Sequence, residues 1–206
     1  MVHSDIVSST HLLEAAGRDY PRLLVRHRAL IASAVARRGG RFLSHAGDGT
    51  LAVFDRADSA LAAAVEAQRA LADEPWPHGL APRVRMGMHV GDAFEIDGEP
   101  VGLVVHHGAR IMAAAHPGQV MVSTAAAEAA DRDGAPEPGT YAVADAGWHT
   151  LRDHAEPVRL VQVVADGLTV VAPEVDLTTG EGAVPAGRVA QHENRRDETS
   201  RLSVSR

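Results

Sequence analysis

The stretch from Arg41 to Phe54 limits the possible folds of this chain more than any other. It consists of two runs of strand-forming residues that flank Gly47-Asp48-Gly49. Aspartate next to glycine between two apolar runs is typical of a tight hairpin turn, because glycine adopts the positive φ angles that match the twist of the strands. The sequence therefore predicts a β-hairpin over residues 41–54 with Asp48 near its tip.

A second aspartate, Asp5, lies near the end of a short strand predicted at Val2 to Val7. Carboxylate oxygens are the ligands that Mg²⁺ and similar hard cations prefer in proteins. Asp5 and Asp48 are therefore candidates for one metal site. Each also has a purely structural interpretation, because aspartate caps helices and fills turns.

The remaining pattern alternates helices with strands. Helical spacing of apolar residues, with capping or breaking residues at the ends, predicts helices at Ser8 to Ala16, Asp19 to Gly39, Asp55 to Pro75, Val101 to Ala115 and Ala125 to Ala130. Alternating or short apolar runs predict strands at Arg83 to Val90, Gln119 to Ser123, Tyr141 to Ala144 and Val158 to Val164, with a loop at Asp92 to Gly98. This order is typical of an α+β sandwich of the ferredoxin-like, palm-type kind, with helices on one face of a mostly antiparallel sheet.

Composition predicts one domain followed by a tail. Residues 1–164 carry enough apolar material for a core, in a chain of 206 residues that is 45% hydrophobic overall. From about residue 165 the composition shifts to Gly, Pro, Thr, Glu and Arg, and residues 191–206 are almost wholly polar. Such a segment buries too little apolar surface to offset its ordering entropy, so we predict a disordered tail over residues 165–206.

Charge and residue usage exclude several classes of function. The net charge is −7 and only 3% of residues are aromatic, so the chain lacks the basic and stacking residues of a nonspecific nucleic-acid binder. It has no cysteine, which excludes disulfides, thiolate catalysis and cysteine-bound zinc. No stretch approaches the roughly 20 apolar residues of a membrane span, and the first residues lack the pattern of a signal peptide. We expect a cytoplasmic protein that binds neither nucleic acid nor membranes.

Five motifs follow one another in a recognisable order: Ser4 to Thr10 (SDIVSST), Gly39-Gly40 leading to Gly47-Asp48-Gly49, Arg83 to Gly91 (RVRMGMHVG), Val101 to Arg110 (VGLVVHHGAR) and His116 to Ser123 (HPGQVMVS). Together they resemble the catalytic domain of the class III nucleotidyl cyclases, the adenylate/guanylate cyclase family. The resemblance covers roughly residues 2–164, and the combination is more specific than any single motif. It implies a signalling enzyme that converts ATP, in preference to GTP, to the 3′,5′-cyclic nucleotide and pyrophosphate.

The resemblance also implies the roles of individual residues. Asp5, Asp48 and the backbone carbonyl of Ile6 correspond to the family's ligands for two divalent ions, Mg²⁺ or Mn²⁺. Arg110 matches the arginine that stabilises charge on the phosphates in the transition state, a role that suits an always-charged guanidinium. His106, four residues earlier on the same helical face, stands where the family usually has a ribose-orienting asparagine. Read without the resemblance, Arg110 is a solvated helix residue and His106 a surface or interface residue.

Several substrate-contacting positions differ from the family pattern. Ser44 occupies the place of the purine-selecting lysine, and Glu99 the place of its partner aspartate. A serine offers a hydrogen bond but no charge, which changes how the purine is selected. Ser8, followed by Ser9 and Thr10, begins the phosphate loop, where the family has glycine and a side chain could crowd the phosphate.

Other histidines carry less information. His3 stands where the family prefers an aromatic residue. His27 and His45 fall within amphipathic elements, and we interpret them as packing residues rather than metal ligands.

In the family, the site forms across a head-to-tail homodimer with two equivalent sites. Asp5 and Asp48 of one protomer would then face Ser44, Glu99, His106 and Arg110 of the other. An alternative is a catalytically impaired cyclase-homology module that binds nucleotide or acts as a dimerising regulatory partner. Relatives that make cyclic dinucleotides fit less well, because the chain lacks their Gly-Gly-Asp/Glu-Glu-Phe turn.

Overall fold

A computed structural model describes residues 1–44, 47–134 and 140–172. The described residues form nine strands: β1 (Val2–Ile6), β2 (Arg41–Ser44), β3 (Thr50–Val53), β4 (Val84–Met88), β5 (Phe94–Ile96), β6 (Glu99–Val101), β7 (Val120–Ser123), β8 (Ala142–His149) and β9 (Val158–Val164). They also form five α-helices: α1 (Ser9–Ala16), α2 (Tyr20–Arg37), α3 (Ala57–Asp73), α4 (Leu103–Ala114) and α5 (Thr124–Asp133).

Seven of the strands form one sheet in the order β2-β3-β1-β4-β7-β9-β8. The pairing of β4 with β7 is parallel, and the other five pairings are antiparallel. The predicted α+β fold with a mostly antiparallel sheet is therefore confirmed. The predicted hairpin over residues 41–54 is present as β2 and β3, whose register runs from Arg41 opposite Val53 to Ser44 opposite Thr50.

Helices cover both faces of this sheet, so the prediction that they lie on one face was wrong. The core on the first face joins α2, α3 and α5 to the sheet through residues such as Ile31, Leu61 and Ala126. A second, smaller cluster joins α4 to the other face through Ile111 and Met121. Period-two alternation could not reveal this, because the α4-facing side of β4 carries Arg85, Gly87 and no large apolar residue.

Three predicted boundaries also differ from the structure. The segment predicted as a loop at residues 92–98 contains β5, which pairs with β6 in a separate two-stranded hairpin. Strand β8 continues to His149, well past the predicted end at Ala144, with a β-bulge between Asp145 and Gly147. Val101, predicted to face the core from the start of a helix, belongs to β6 and is 45% exposed.

Described residues past the predicted domain boundary at residue 164 still contact the residues before it. Leu168 packs against the main core, and the Thr169 amide donates a 3.0 Å hydrogen bond to the Gly118 carbonyl. The rest of the predicted tail, from residue 173, lies outside the described residues, so its disorder stays a prediction. No helix in the described ranges has the length and apolar character that a membrane span requires.

Candidate functional site

The end of β1 lies beside the turn that carries Asp48. β1 pairs with β3 only as far as Ser4 opposite Thr50, whereas its pairing with β4 continues to Ile6. Continuing the β1–β3 register would place Asp5 opposite Gly49 and Ile6 opposite Asp48. The edge of β1 at Asp5 and Ile6 therefore faces the turn instead of a strand, and three predicted oxygen ligands lie in one region.

The Asp48 carboxylate is held in an unusual environment. Its Oδ2 atom is buried and has no hydrogen-bond partner among the described residues. An unsatisfied buried oxygen costs about 1–3 kcal/mol, and more when it is charged, unless a partner arrives. This unpaired carboxylate oxygen matches the chemistry of a cation ligand, so Asp48 fits the metal role that the resemblance implies.

Two residues of helix α2, Tyr20 and His27, are close enough to Asp48 to interact with its charge. Burial raises the pKa of Tyr20, and the nearby Asp48 carboxylate raises it further. The pKa of His27 is lowered to about 4, mainly because burial disfavours its cation and secondarily because Arg28 is close, while Asp48 acts in the opposite direction. His27 is fully buried, as predicted for a packing residue, but neither ring nitrogen has a hydrogen-bond partner in the described part of the chain. His45 lies outside the described residues.

Asp5 differs from Asp48 because it already has a cationic partner. Arg85 lies directly opposite it on β4, and its Nη2 donates a 2.8 Å hydrogen bond to Asp5 Oδ2. Nη1 of the same arginine donates to the Ala113 carbonyl at the end of α4. One carboxylate oxygen of Asp5 is therefore engaged by Arg85, and Oδ1 is the oxygen available to a cation. No local sequence signal marks Arg85; only the register of β1 and β4 places it next to Asp5.

Ser8, which the resemblance places at the start of the phosphate loop, adopts a backbone conformation that favours glycine. It has φ 57° and ψ 41°, a left-handed conformation that costs non-glycine residues about 1–2 kcal/mol. It precedes α1 as the N-cap residue but makes no side-chain capping bond, contrary to the capping role that we predicted. Ser9 and Thr10 form the first turn of α1, which holds no acidic residue. The amides of that turn are suited to an anion.

Two glycines bring α4 close to the sheet. A Cβ atom added at Gly87 of β4 would overlap the backbone of Met112 on α4. A Cβ at Gly108 of α4 would lie 2.6 Å from the ring of His3 on β1, and His3 is itself buried. Glycines at both positions thus allow the helix to contact the strands directly. This packing fixes the height of α4 above β1 and β4.

Arg110 and His106 lie on α4 one turn apart. The Arg110 Nη2 atom donates a 2.5 Å hydrogen bond to Asp153 Oδ2, in the loop between β8 and β9. His106 is exposed. Within the described residues, no hydrogen bond or ion pair joins either residue to Asp5 or Asp48. Within one protomer, the described residues thus show no direct bond between the two predicted sets of site residues.

Three imidazole rings connect α4 to the residue that follows β4 and to the loop between β8 and β9. The ring of His107 lies 5.5 Å from that of His89 and 4.7 Å from that of His154, between ring centroids. His89 Nδ1 shares a 2.9 Å hydrogen bond with Ser123 Oγ. The pKa values of His89 and His107 are lowered, first by burial and then by the neighbouring imidazoles. These rings are therefore favoured in their neutral form, in which they can pack together.

The predicted purine-contacting residues lie on two elements that Arg41 connects. Ser44 ends β2, and Glu99 begins β6 in the separate hairpin, where its side chain is exposed. Arg41 at the start of β2 donates to Glu95 at 2.6 Å and to the Gly98 carbonyl at 2.8 Å. No sequence motif marks this arginine, because its partners lie on the β5–β6 hairpin, which the sequence did not predict.

The donor set suits one metal class more than others. In the described part of the chain, no three His, Asp or Glu side chains converge as a group that could hold a metal ion. Asp5 and Asp48, with the Ile6 carbonyl, supply oxygen atoms alone. Magnesium and manganese accept such sets and need few protein ligands, because water and substrate phosphates complete their coordination.

The chain is similar to individual known proteins, although no family model matches it. An uncharacterised protein of Mycobacterium tuberculosis is 29% identical over 163 residues, which cover 78% of this chain and 53% of the relative. The chain thus spans about half the length of the curated relatives that it matches first.

Two solved structures extend the comparison. One is the crystal structure of an adenylate/guanylate cyclase/hydrolase from Silicibacter pomeroyi, which is 30% identical in sequence. The match covers 80% of this chain and 95% of the Silicibacter pomeroyi chain, with a TM-score of 0.64. An adenylate cyclase of Trypanosoma brucei, solved in its monomeric state, superposes with a TM-score of 0.71 over 85% of this chain and 92% of its own. It is 20% identical, so this second likeness concerns the fold.

Proposed function

Because the chain belongs to the class III nucleotidyl cyclase family, we propose that it converts a purine nucleoside triphosphate to the 3′,5′-cyclic nucleotide and pyrophosphate. ATP is the expected substrate and GTP the second choice. In this reaction the ribose 3′-oxygen forms a bond to the α-phosphorus and loses its proton. The bond from the α-phosphorus to the bridging oxygen breaks, and pyrophosphate leaves with the electron pair.

The observation that carries the proposal is the buried Oδ2 of Asp48, which lies beside the open edge of β1 and has no partner in the described part of the chain. Asp5, Asp48 and the Ile6 carbonyl would hold Mg²⁺ or Mn²⁺, two ions per site by the family resemblance. Bound there, the ions would offset phosphate charge and favour ionisation of the 3′-hydroxyl. The chain's own contribution is to fix these oxygens on a strand and a tight turn, where they need not reorganise.

The phosphates would extend toward the first turn of α1. Amides at a helix N-terminus attract anions, and no acidic side chain of the first turn competes for them. Ser9 and Thr10 would add hydroxyl donors there. Ser8 keeps the left-handed backbone that the loop needs, although its side chain occupies space that glycine would leave open.

Arg110 and His106 would act on the substrate bound by the partner protomer. The Arg110 guanidinium would donate hydrogen bonds to phosphate oxygens as charge develops on them, and His106 would orient the ribose. Glu99 and Ser44 would contact the base. A serine in place of lysine leaves one uncharged hydrogen-bonding group, so we expect weaker discrimination between ATP and GTP than a lysine provides.

Exposed apolar residues support a head-to-tail homodimer. Phe94, Ile96 and Leu103 are 79%, 58% and 74% exposed and lie on the β5–β6 hairpin and at the start of α4. Glu99 and His106 lie on the same two elements. A second protomer that covered this patch would bury apolar surface and would bring its own metal-binding side to these residues. A cytoplasmic location, where nucleoside triphosphates are abundant, remains our expectation.

A catalytically impaired module is the second candidate. It is favoured by the internal ion pairs of the two essential charges, Asp5 with Arg85 and Arg110 with Asp153. If these pairs persist when nucleotide binds, the site would hold substrate without turning it over. Binding of nucleotide and Mn²⁺ without cyclic product would support this reading.

A turnover assay tests the proposal. The purified chain is incubated with ATP or GTP and Mn²⁺ or Mg²⁺, and the cyclic nucleotide and pyrophosphate are quantified. We expect product from the wild type and a loss of about 100-fold or more in Asp48→Asn. Asp55→Asn is the matched control, because Asp55 is an exposed carboxylate just beyond the other end of β3. Absence of product in all four conditions, or equal rates in Asp48→Asn and wild type, would contradict the proposal.

A further inference from the structure

The contact between Arg110 and Asp153 is more specific than an ordinary surface ion pair. Arg110 is 31% exposed, and its Nη2 atom donates to Asp153 Oδ2 at 2.5 Å. Among the described residues, Asp153 is the one hydrogen-bond partner found for this guanidinium. The other donors, on Nε and Nη1, stay available for a phosphate. A planar fork that is fixed at one nitrogen retains its orientation for a second ligand.

The loop that carries Asp153 is attached to α4 at two further points. This loop, residues 150–157, buries Leu151 in the cluster that contains Ile111 of α4. On the other side of Asp153, the ring of His154 lies 4.7 Å from that of His107. Residues 107, 110 and 111 share one face of a helix because they are three and four positions apart. The fold therefore presents Asp153 to Arg110 between two anchored neighbours.

The backbone conformation of Asp153 also favours this contact. Its φ is 63°, a left-handed value that aspartate and asparagine tolerate better than most residues. The His154 amide donates a 3.2 Å hydrogen bond to the Leu151 carbonyl, which closes a turn around Asp153. Arg152 lies 3.9 Å from the same carboxylate but is 81% exposed, so its contact is the weaker one. The turn directs the carboxylate toward α4.

We infer that Asp153 is a positioning residue that orients the Arg110 guanidinium toward the reacting phosphates. This rests on the proposed function, in which Arg110 stabilises transition-state charge. A free arginine side chain has many rotamers, and holding one of them before substrate binds removes an entropic cost from the chemical step. Because Asp153 is 66% exposed, its charge is partly screened by water, so it orients the guanidinium without cancelling its attraction for phosphate.

Asp153→Asn is the most informative substitution. Asparagine keeps the shape and tolerates the left-handed backbone, so it removes the charge while preserving the turn. We expect kcat to fall ~10-fold with KM within about twofold of wild type, because the orientation matters mainly in the transition state. Asp153→Glu restores the charge and should recover part of kcat. Asp145→Asn is the matched control: Asp145 on β8 forms an ion pair with Arg159 on β9 in which both side chains are about half exposed, and its loss should leave kcat unchanged.

A double-mutant comparison separates positioning from a structural role. Arg110→Ala should lower kcat by ~100-fold or more, and adding Asp153→Asn to it should cause no further loss, because Asp153 acts through Arg110. An additive loss, or a kcat of Asp153→Asn equal to or above that of wild type, would overturn the inference. A wild type without product would overturn the proposed function and this inference together. Loss of product in Arg110→Ala but not in Asp153→Asn would overturn this inference alone.

Discussion

The two sides of the candidate site are built differently. On the α4 side, Gly87 and Gly108 let the helix contact the sheet directly, and Arg110 already has an ionic partner. On the β1 side, the pairing of β1 with β3 stops before Asp5, and the buried oxygen of Asp48 lacks a partner among the described residues. On the α4 side, Arg110 thus has a partner within its own protomer, whereas on the β1 side one buried carboxylate oxygen has none among the described residues.

This difference separates two kinds of sequence requirement. The α4 side depends on close packing, so small changes of volume there should cost stability. The β1 side depends on charge, so neutral substitutions there should cost cation binding but little stability. Substitutions on the two sides should therefore have different effects.

The largest effect on stability should come from Gly87→Ala. The added Cβ would overlap the Met112 backbone, which cannot move without displacing α4. Overpacking a core typically costs about 1–3 kcal/mol, and an overlap with backbone should reach the upper end or exceed it. Urea unfolding measures this loss. Gly49→Ala is the control, because its Cβ would meet only the Ser4 carbonyl at 3.6 Å, and an equal loss in both variants would contradict the packing argument.

Acid should destabilise the region behind Asp48 through His27. Its folded pKa of about 4 lies below the unfolded value of about 6.5, so the unfolded chain takes up the proton first as the pH falls. Stability from this group is fully present above pH ~6.5 and should decrease by about 3 kcal/mol as the pH approaches ~4.

Comparison with His27→Leu isolates this contribution, since other groups titrate in both proteins. Urea unfolding at several pH values should show wild type losing more stability than the variant between pH ~6.5 and ~4. Parallel pH profiles for the two proteins would show that His27 is not held neutral by burial.

Ser8→Gly should give a smaller effect of opposite sign. Glycine adopts φ 57° without steric cost, so the variant should be more stable by up to about 1 kcal/mol, reduced by the larger entropy of unfolded glycine. It should also lower KM for the nucleotide, because the phosphate can approach the loop more closely. Thermal unfolding and initial-rate kinetics check both parts. Ser9→Gly, inside α1, is the control and should lose stability.

Arg41→Ala should have the smallest effect on stability, within about 0.5 kcal/mol, because both partners of its ion pair with Glu95 are exposed. It should nevertheless raise KM several-fold, since it frees the hairpin that carries Glu99 from β2. Arg159→Ala removes a comparable exposed ion pair far from Ser44 and Glu99 and should leave KM unchanged. An unchanged KM in Arg41→Ala would show that attachment of the β5–β6 hairpin to β2 is not needed for nucleotide binding.

Much of this contrast was visible in the sequence, where local signals were strong. Gly47-Asp48-Gly49 predicted the hairpin correctly, and the alternation around Met86 predicted β4. The same turn signal was present at Asp97-Gly98, whose φ angles of 53° and 81° form the two-residue turn between β5 and β6. It was missed because the flanking strands are only three residues long, too short for an alternating pattern to stand out, and the second contains Pro100.

Tertiary pairs could not be predicted in the same way. Asp5 and Arg85 become neighbours through the register of β1 and β4, and Arg110 meets Asp153 across 43 positions of chain. Neither pair leaves a local pattern in the sequence. The side of the sheet on which α4 packs was also hidden, because glycine carries no hydrophobic signal even where it determines the contact.

The free energy of unfolding, measured with and without Mn²⁺, tests the central claim that Asp48 is a cation ligand. Without metal, Asp48→Asn should be more stable than wild type by about 1 kcal/mol, because it removes the charge from a carboxylate whose Oδ2 atom is buried without a partner among the described residues. At Mn²⁺ near 100 times its dissociation constant, with nucleotide present, wild type and Asp55→Asn should gain about 2–3 kcal/mol while Asp48→Asn gains almost nothing. Equal gains in all three proteins, or an Asp48→Asn variant less stable than wild type without metal, would contradict the claim.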